Sequence, residues 1–440
     1  MENQISFNHQ VSRLTNRVML WTALALLIST GSLRAQAQLT SFNDGTDNVF
    51  AVGTTNHLFD LTCIEDGNGA CILGNLTGPF LANDVTKTTG GPNPIVLSPL
   101  TSFTDAFGDH LFFVDSNHHL NQSSDAHQLD FQTASNTDLG VQSWGGISGY
   151  SSAGEFTFAS TIFARVFYVS SNQHVHMLVS SNGGPFGDSD LTSRTGNLLA
   201  LQYSSVTSFH DANGEHVFYS GANQHLYQLY GSWISYYICS PLLGCGQVSY
   251  INWVNQDLTL APTNAPLVAG ELSSFSDGTG EHVFYISNDV HIHELQYANG
   301  SWSQQDLTLT AGTFPFGGQT GLTSLSNALG EQLFYIGSDL NVHDVFLSSS
   351  GGSVENITSS ANGPIANPCF GLELTSFTRS TSNQVESEVF YTGNDEMLHR
   401  LSQTETAHTV QILGHPFTLW VVGAWTDIEI PFAMPNRCIQ

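Results

Sequence analysis

Residues 272–308 divide into four short apolar runs separated by three polar turns. Each run alternates apolar and polar side chains or carries β-branched and aromatic residues, and each gap holds Gly, Asn, Asp or Ser. This pattern predicts four antiparallel strands joined as a meander. One such sheet has two unpaired edges and too little core to stand alone, so it needs neighbouring sheets.

The four-strand pattern of 272–308 recurs along the chain, and these copies can form the neighbouring sheets. The first strand carries a Leu-Thr-Ser-Phe motif, and the second carries an aliphatic residue, Phe and usually another aromatic residue. First-strand motifs start near Leu39, Leu100, Ile147, Val206, Leu272, Leu322 and Leu374, the one near Ile147 being weaker and reaching Phe158. These seven repeats, numbered here in chain order, recur at roughly 50 to 66 residues. They predict an all-β fold, a seven-bladed β-propeller of four-stranded antiparallel blades, with insertions at 63–99 and 235–250.

The first 37 residues differ from the repeats. Arg13 and Arg17 precede an apolar run over 18–28, and an Ala-Gln-Ala sequence follows. This arrangement predicts a secretory signal peptide over 1–37 and a single propeller domain over 38–440. An uncleaved membrane anchor is the less favoured alternative. No later segment approaches the ~20 apolar residues of a spanning helix, so we expect no membrane insertion.

Composition restricts the classes of partner. The chain carries 37 acidic and 9 basic residues, for a formal charge of −28, yet only 10% of its residues are charged. A surface with this charge repels phosphate backbones and anionic lipid, which argues against nucleic-acid and membrane-surface binding. The abundance of Ser, Thr, Asn, Gln and Gly suits polyhydroxylated ligands. Solubility alone is the competing explanation of the acidity.

All six cysteines follow the predicted signal peptide, as in proteins of oxidising compartments. Two pairs lie inside the insertions, so each is expected to close its own loop, and the remaining two would join the last repeat to the C-terminal tail. The expected disulfides are Cys63–Cys71, Cys239–Cys245 and Cys369–Cys438, among fifteen possible connectivities. Metal binding by these cysteines is less favoured because no C-x-x-C spacing occurs.

Two further patterns recur. The turn after the first strand reads Asp-x-x-Gly-acid-His, as at 105–110, 211–216 and 277–282. Clustered carboxylates there could hold calcium, but a hairpin turn built by Asp and Gly is favoured. Two histidine columns mark the third strand: His57, His119, His174, His225 and His291, then His176, His293, His343 and His399. A structural role in every repeat is favoured over a metal site, so no cofactor is expected.

The segment HVFYISNDVHIHELQYANGSW resembles the repeat of fungal and bacterial fucose-binding lectins, which form six-bladed propellers, and is similar to repeats of seven-bladed bacterial lectins. In the fucose lectins an Arg before the second-strand motif and a Glu in the third strand grip the sugar, and Trp or Tyr stacks on it. The Arg position here holds Asn48, His110, Arg165, His216, His282, Gln332 and Glu388. The Glu position holds Asp60, Gln122, Met177, Gln228, Glu294, Asp344 and Arg400. No repeat has Arg at the Arg position together with Glu at the Glu position.

Candidate sugar sites follow from the residue types. Sugars need amides or acids for paired hydroxyls and an aromatic platform. The candidates are His282, Glu294, Tyr297 and Trp302 in repeat 5, His216, Gln228, Tyr230 and Trp233 in repeat 4, and Arg165 in repeat 3. The competing explanation is that Trp302 and Trp233 only fill space between blades.

Three functions are compatible with the sequence. The favoured one is a secreted, lectin-like propeller that binds glycans at several weak, repeated sites between blades. The second is a secreted protein-interaction scaffold without a sugar site. The third and least favoured is a propeller hydrolase or lyase, since no nucleophile elbow, metalloprotease helix, glycosidase pair or sialidase Asp-box is visible. The chain is therefore expected not to be an enzyme.

Overall fold

The structure is a computed structural model. It describes residues 39–43, 47–63, 81–95, 98–125, 134–153, 161–196, 198–240, 244–260, 262–311, 315, 321–327, 330–348, 351–368, 373–380, 384–412 and 415–434. The segment predicted as a signal peptide lies outside these residues, as do Cys71, Cys369 and Cys438. The described residues all belong to one compact unit, Ala35–Gln440. No helix among them is long and apolar enough to cross a bilayer.

The chain forms antiparallel sheets in which consecutive strands are neighbours. Repeat 1 forms β1 (Leu39–Asn43), β2 (Asp47–Val52), β3 (Leu58–Cys63) and β4 (Leu81–Asp84). Repeats 2 and 3 form one seven-stranded sheet: β5 (Leu100–Asp105), β6 (Gly108–Val114), β7 (His119–Asp125), β8 (Ser135–Ala153), β9 (Ile162–Ser170), β10 (Val175–Ser181) and β11 (Gly187–Asp190). The long strand β8 pairs with β7 up to Gln142 and with β9 from Ser143 onward. It therefore serves as the fourth strand of one repeat and the first strand of the next.

The later repeats form separate sheets. Repeat 4 forms β12 (Val206–His210), β13 (Glu215–Ser220), β14 (Leu226–Ser240) and β15 (Gly244–Asp257). Repeat 5 forms β16 (Val268–Ser276), β17 (Glu281–Ser287), β18 (Ile292–Ala298) and β19 (Ser301–Asp306), and repeat 6 forms β20 (Leu322–Ser326), β21 (Glu331–Ile336), β22 (Val342–Ser348) and β23 (Gly351–Asn356). Repeat 7 forms β24 (Leu374–Ser380), β25 (Gln384–Thr392), β26 (Met397–Ile412), β27 (His415–Val422) and β28 (Thr426–Ala433). In this last sheet both β27 and β28 pair with β26.

First strands of successive repeats pack against one another in a closed circle. Contacts run from β1 to β5, β8, β12, β16, β20 and β24, and β24 contacts β1 again. Four-stranded antiparallel sheets packed in this way form a β-propeller. In the terminal sheets β1 pairs with β2 and β24 pairs with β25, so among the described residues the circle closes by packing of β24 on β1.

The circle of first strands explains why Thr and Ser recur in the Leu-Thr-Ser-Phe motif. The Thr-position hydroxyl of one repeat bonds the Ser-position hydroxyl of the next, and all six such pairs lie at 2.7 to 2.9 Å. They are Thr40–Ser102, Ser148–Ser208, Thr207–Ser274, Ser273–Ser324, Thr323–Ser376 and Thr375–Ser41. At the seventh junction Gly149 replaces the Ser, and its backbone N–H donates to Thr101 at 3.1 Å. The bond between Thr375 and Ser41 links the last repeat to the first.

Second strands form the apolar layers between sheets, and an aromatic residue of the following repeat packs edge-on against the second-strand Phe. These T-shaped pairs are Phe112–Phe186, Phe167–Trp253, Phe218–Trp302 and Phe334–Trp425. Edge-to-face geometry is the favoured arrangement for packed aromatic rings. The fourth strand thereby helps to fix the spacing between neighbouring sheets.

Both repeated turns require unusual backbone angles. In the Asp-x-x-Gly turn the glycine has positive φ at Gly108, Gly214 and Gly280, and Gly330 has the same conformation in repeat 6, where Asn327 replaces the Asp. The Asp carboxylate accepts backbone N–H groups, for example from Thr279 to Asp277 at 2.7 Å. This geometry supports the predicted hairpin turn. The second turn has one non-glycine residue with positive φ in every repeat: Asn56, His118, Gln173, Gln224, Val290, Leu340 and Glu396.

Four short helices follow fourth strands: α1 (Val85–Thr89), α2 (Leu191–Arg194), α3 (Leu307–Ala311) and α4 (Ile357–Ala361). The insertion at 235–250 forms the outer part of the hairpin of β14 and β15, and a disulfide joins Cys239 to Cys245 as predicted. Cys63 is also disulfide-bonded. The other predicted pairing, Cys369–Cys438, lies outside the described residues.

Candidate functional site

The strongest candidate from the sequence lies at the junction of repeats 5 and 6. His282 bonds Glu294 through Nδ1 at 2.7 Å, and the same nitrogen lies 3.3 Å from Glu331 of the next repeat. Its Nε2 bonds the Thr279 hydroxyl at 2.8 Å, and that hydroxyl donates to Glu331 at 3.0 Å. Burial lowers the pKa of His282, but the hydrogen bond to Glu294 and the nearby carboxylates outweigh it and raise the pKa overall. The candidates His282 and Glu294 therefore bond each other within repeat 5, and His282 also contacts Glu331 across the junction.

The junction of repeats 4 and 5 repeats this arrangement. His216 lies 3.1 Å from Asp211 through Nε2 and 3.1 Å from Glu281 of the next repeat through Nδ1. Gln228 donates to Glu281 at 3.3 Å. Burial lowers the pKa of His216, yet the hydrogen bonds and charges of Asp211 and Glu281 raise it to about 9. A protonated imidazole thus bridges two carboxylates from different repeats.

Arginine takes the place of histidine at other junctions. Arg165 lies 3.2 Å from Glu215 of repeat 4, and both side chains are fully buried. Where repeat 7 meets repeat 1, Arg379 and Arg400 lie 3.5 and 3.7 Å from Asp47. In each case the acid that begins the second strand of one repeat faces a basic residue of the preceding repeat. The two adjacent residues of the acid-His motif therefore act at different junctions. The acid contacts the preceding repeat, and the His contacts the following repeat.

Burial separates the candidate residues into two groups. His282, His216 and Arg165 are 0%, 1% and 0% exposed, and Gln228, Glu294 and Trp302 are also buried. Trp302 packs against Phe218 in the apolar layer between repeats 4 and 5. Tyr230, Tyr297 and Trp233 remain partly exposed. A ligand arriving from solvent would meet this second group first.

Stability should fall as pH rises because of the His216 bridge. A folded pKa above that of free histidine gives stability that is complete below pH 6.5 and is lost as pH rises through about 9. The loss should be on the order of 3 kcal/mol. Urea unfolding at pH 6 and pH 9.5 measures it.

Replacing His216 by Gln should flatten this part of the pH profile. His408→Gln changes an exposed histidine and is the matched control, for which we expect the full pH dependence. A His216→Gln profile that parallels the wild type would contradict the assignment.

The first histidine column has a structural role at the outer edge of the sheets. Its members bond, through Nδ1, an Asp of the fourth strand at 2.6 to 2.8 Å, and this Asp is the last residue of the strand in all of them except repeat 2. The pairs are His57–Asp84, His119–Asp138, His174–Asp190, His225–Asp257 and His291–Asp306. The Asp also caps the following helix where one is present, as Asp84 accepts from the Lys87 backbone N–H at 2.9 Å. The favoured structural explanation of this column agrees with these contacts.

The second histidine column bonds the second turn. His343 and His399 each lie 3.0 Å, through Nε2, from an Asp four residues earlier, and His293 lies 3.4 Å from Asp289. Each ring also packs on the buried second-strand tyrosine, with centroids 5.3 to 5.6 Å apart. Repeat 3 departs from this pattern because Asn172 occupies the turn position.

An exposed aromatic surface, missed by the sequence analysis, lies on the hairpin of β14 and β15. Tyr236 is 47% exposed and Tyr250 is 46% exposed, with ring centroids 6.2 Å apart. Strand alternation puts Tyr230 on the same face, whereas Tyr237, 71% exposed, lies on the opposite face. Residues 226–256 contain no Asp, Glu, Lys or Arg. An uncharged stretch of this length in so acidic a chain is the sequence signal that could have identified the surface.

Comparisons with known proteins give likenesses of fold only. No protein-family model and no curated protein matches the chain. A solved structure of Aleuria aurantia lectin with Fucα1-6GlcNAc is similar with 13% identity and a TM-score of 0.44, covering 73% of this chain and 94% of that one. AofleA from Arthrobotrys oligospora has 13% identity and a TM-score of 0.42, covering 77% and 90%. A GH43 β-xylosidase/α-arabinofuranosidase from a compost metagenome has 10% identity and a TM-score of 0.30, covering 74% and 94%.

Proposed function

We propose that this protein is a secreted carbohydrate-binding β-propeller with seven blades, formed by the domain over 38–440 after removal of 1–37. The blade count is supported by seven first strands in the circle and by seven hydroxyl contacts between them. The seven-stranded sheet counts as two blades because β8 serves both. Secretion is supported by the Cys239–Cys245 disulfide and by the disulfide of Cys63.

The observation that carries the proposal is the uncharged aromatic face of the β14–β15 hairpin. Tyr236 and Tyr250 present rings and hydroxyl groups on one side of a two-stranded ribbon, and Tyr230 lies on the same face where β14 also pairs with β13. Sugars combine an apolar ring face with many hydroxyls, so they suit aromatic platforms with neutral hydrogen-bonding groups nearby. Ser232 and Asn252 pair on the same face of the ribbon and supply such groups. A neutral polysaccharide avoids the electrostatic penalty that an anionic ligand would meet on this chain.

The weak, repeated sites of the proposal lie at the solvent edge of the repeat junctions. Tyr297, Gln296 and Thr279 border the His282 cluster, and Tyr230 and Asn213 border the His216 cluster. The polar residues beneath them are buried, so one junction can offer a sugar only a few hydrogen bonds and should bind it weakly. Several such edges on one ring would add through multivalency on a glycan-coated surface.

Binding to an array of neutral glycans tests the proposal on the disulfide-intact chain. Tyr236→Ala and Tyr250→Ala should each weaken binding at least tenfold, because they remove the stacking platform. Tyr237→Ala is the matched control on the opposite face and should bind as the wild type does. Glu294→Ala and Trp302→Ala test the junction sites separately. The absence of any bound glycan, or equal loss in the control, would contradict the proposal.

A protein-interaction scaffold is the second candidate. Ile234 and Val254 are exposed on the same hairpin face and give it apolar area beyond the tyrosines. Recovery of a stable protein partner from the native host, disrupted by Ile234→Ser and not by free sugar, would favour this function. The proposal also implies binding without turnover, so incubation with a bound polysaccharide should release no reducing ends.

A further inference from the structure

We propose that repeat 3 binds a divalent transition-metal ion through His174, His176 and Asp190. One ligand atom from each residue lies within 4.8 Å of the others. His176 Nε2 is 3.7 Å from Asp190 Oδ2, and His174 Nδ1 is 2.6 Å from the same oxygen. Ligands of a tetrahedral zinc ion are separated by about 3.3 Å, so a metal that replaces the proton between His174 and Asp190 requires only small shifts.

A carboxylate behind His176 fixes the ring for this role. Asp188 bonds His176 Nδ1 at 3.0 Å, and it also accepts the Tyr168 hydroxyl at 3.0 Å. A ring that donates through Nδ1 presents Nε2 as the free lone pair, which is the arrangement found behind metal-bound histidines. Within the described part of the chain, Nε2 of His176 makes no hydrogen bond.

The other repeats show why this site is confined to repeat 3. In repeats 5, 6 and 7 the second-column histidine directs Nε2 to the turn aspartate, as His343 does to Asp339. In repeat 3 the turn residue is Asn172, whose Oδ1 accepts the His174 backbone N–H as the turn aspartates do for their own repeats, but Nε2 of His176 makes no hydrogen bond to it. Repeat 5 also has two histidines, but Gln304 contacts His293 Nδ1 at 2.7 Å where Asp188 stands in repeat 3. Repeat 3 alone among these repeats thus combines a free nitrogen with an orienting carboxylate.

The ligand set favours a transition metal over calcium or magnesium. Two imidazoles and one carboxylate suit Zn²⁺, Co²⁺ or Ni²⁺, whereas Ca²⁺ and Mg²⁺ prefer oxygen ligands. His174 and Asp190 are partly exposed, so an ion can enter from solvent and keep a water as the fourth ligand. The site is independent of the aromatic hairpin and does not depend on the proposed glycan binding.

Zn²⁺ titration of the full, untagged chain after chelator treatment and dialysis tests the site, with binding followed by calorimetry. We expect one equivalent of tightly bound Zn²⁺ and, with Co²⁺, an absorption band of a low-coordinate site. His176→Gln should weaken binding at least tenfold, and Asp188→Asn should weaken it about 10- to 100-fold. Asp190→Asn should also lose affinity. Because the Asn side chain can still accept the Ser193 N–H, a loss of affinity in this variant is not explained by misfolding.

The matched control is His293→Gln, which changes the corresponding histidine in repeat 5. It should leave the stoichiometry and affinity for Zn²⁺ unchanged. Failure of the wild-type chain to bind one equivalent, or the same loss in His293→Gln as in His176→Gln, would overturn the proposal.

Discussion

Replacing Gly280 by Ala should destabilise the propeller by about 3 kcal/mol, because the first turn of repeat 5 has no room for a side chain there. Gly280 has φ of +151°, a region that L-residues rarely adopt. An added Cβ would lie 2.3 Å from the backbone oxygen of Tyr297 on the third strand. Backbone cannot move aside as a flexible side chain can, so the turn or the pairing of β17 with β18 must distort.

A control for this substitution lies two residues away. Gly278 is in the same turn, and a Cβ there would meet nothing within 4 Å. Gly278→Ala should therefore change the free energy of unfolding by less than about 0.5 kcal/mol. Urea unfolding followed by tryptophan fluorescence measures both variants. Equal stability of the two would show that the turn tolerates Ala at either position and that the steric argument is wrong.

Features within one repeat could be predicted from the sequence because they depend on local patterns. The run of β-branched and aromatic residues in β17 and the Asp-x-x-Gly turn at 277–280 are local signals of strand and turn. The Cys239–Cys245 pairing was also accessible, since both residues lie within one short insertion. Strand β8 is the exception: the sequence near Ile147 gave a weak first-strand copy, and its continuity with the preceding fourth strand depends on pairing with two different neighbours.

Contacts between repeats were beyond sequence reasoning because their partners are distant in the chain. His216 and Glu281 belong to different repeats, and neither residue has a sequence pattern that identifies the other. His216 and His282 were therefore interpreted as sugar-binding residues, although both lie buried between sheets. The same holds for the Thr and Ser of the first strand. The sequence shows that their motif repeats, but the hydroxyl contacts to the next repeat, such as Thr207 to Ser274, follow only from the closed circle.

Replacing Arg165 by Met should destabilise the protein by about 3–5 kcal/mol, since it leaves the buried Glu215 without its guanidinium partner. The two groups lie 3.2 Å apart and neither reaches solvent. Burial raises the pKa of Glu215 to about 8 in the intact protein, and loss of the neighbouring guanidinium should raise it further. An acid whose folded pKa is above its unfolded value loses stability as pH rises from the unfolded to the folded pKa, so the wild type loses this stability between about pH 4.5 and 8 and the variant continues to lose it above pH 8. The deficit of the Arg165→Met variant should therefore be larger at pH 9 than at pH 6.

Two further variants separate the charge effect from the loss of packing. Arg165→Met combined with Glu215→Leu removes both charges and should recover stability to within about 1 kcal/mol of the wild type, because apolar groups of similar volume can replace a buried ion pair. Arg194→Met changes an exposed arginine and should have an effect below about 0.5 kcal/mol. Denaturant unfolding of the four chains at pH 6 and pH 9 gives the comparison. A deficit that is independent of pH, or a double variant no more stable than Arg165→Met, would mean that packing around Arg165, rather than the uncompensated charge of Glu215, controls this junction.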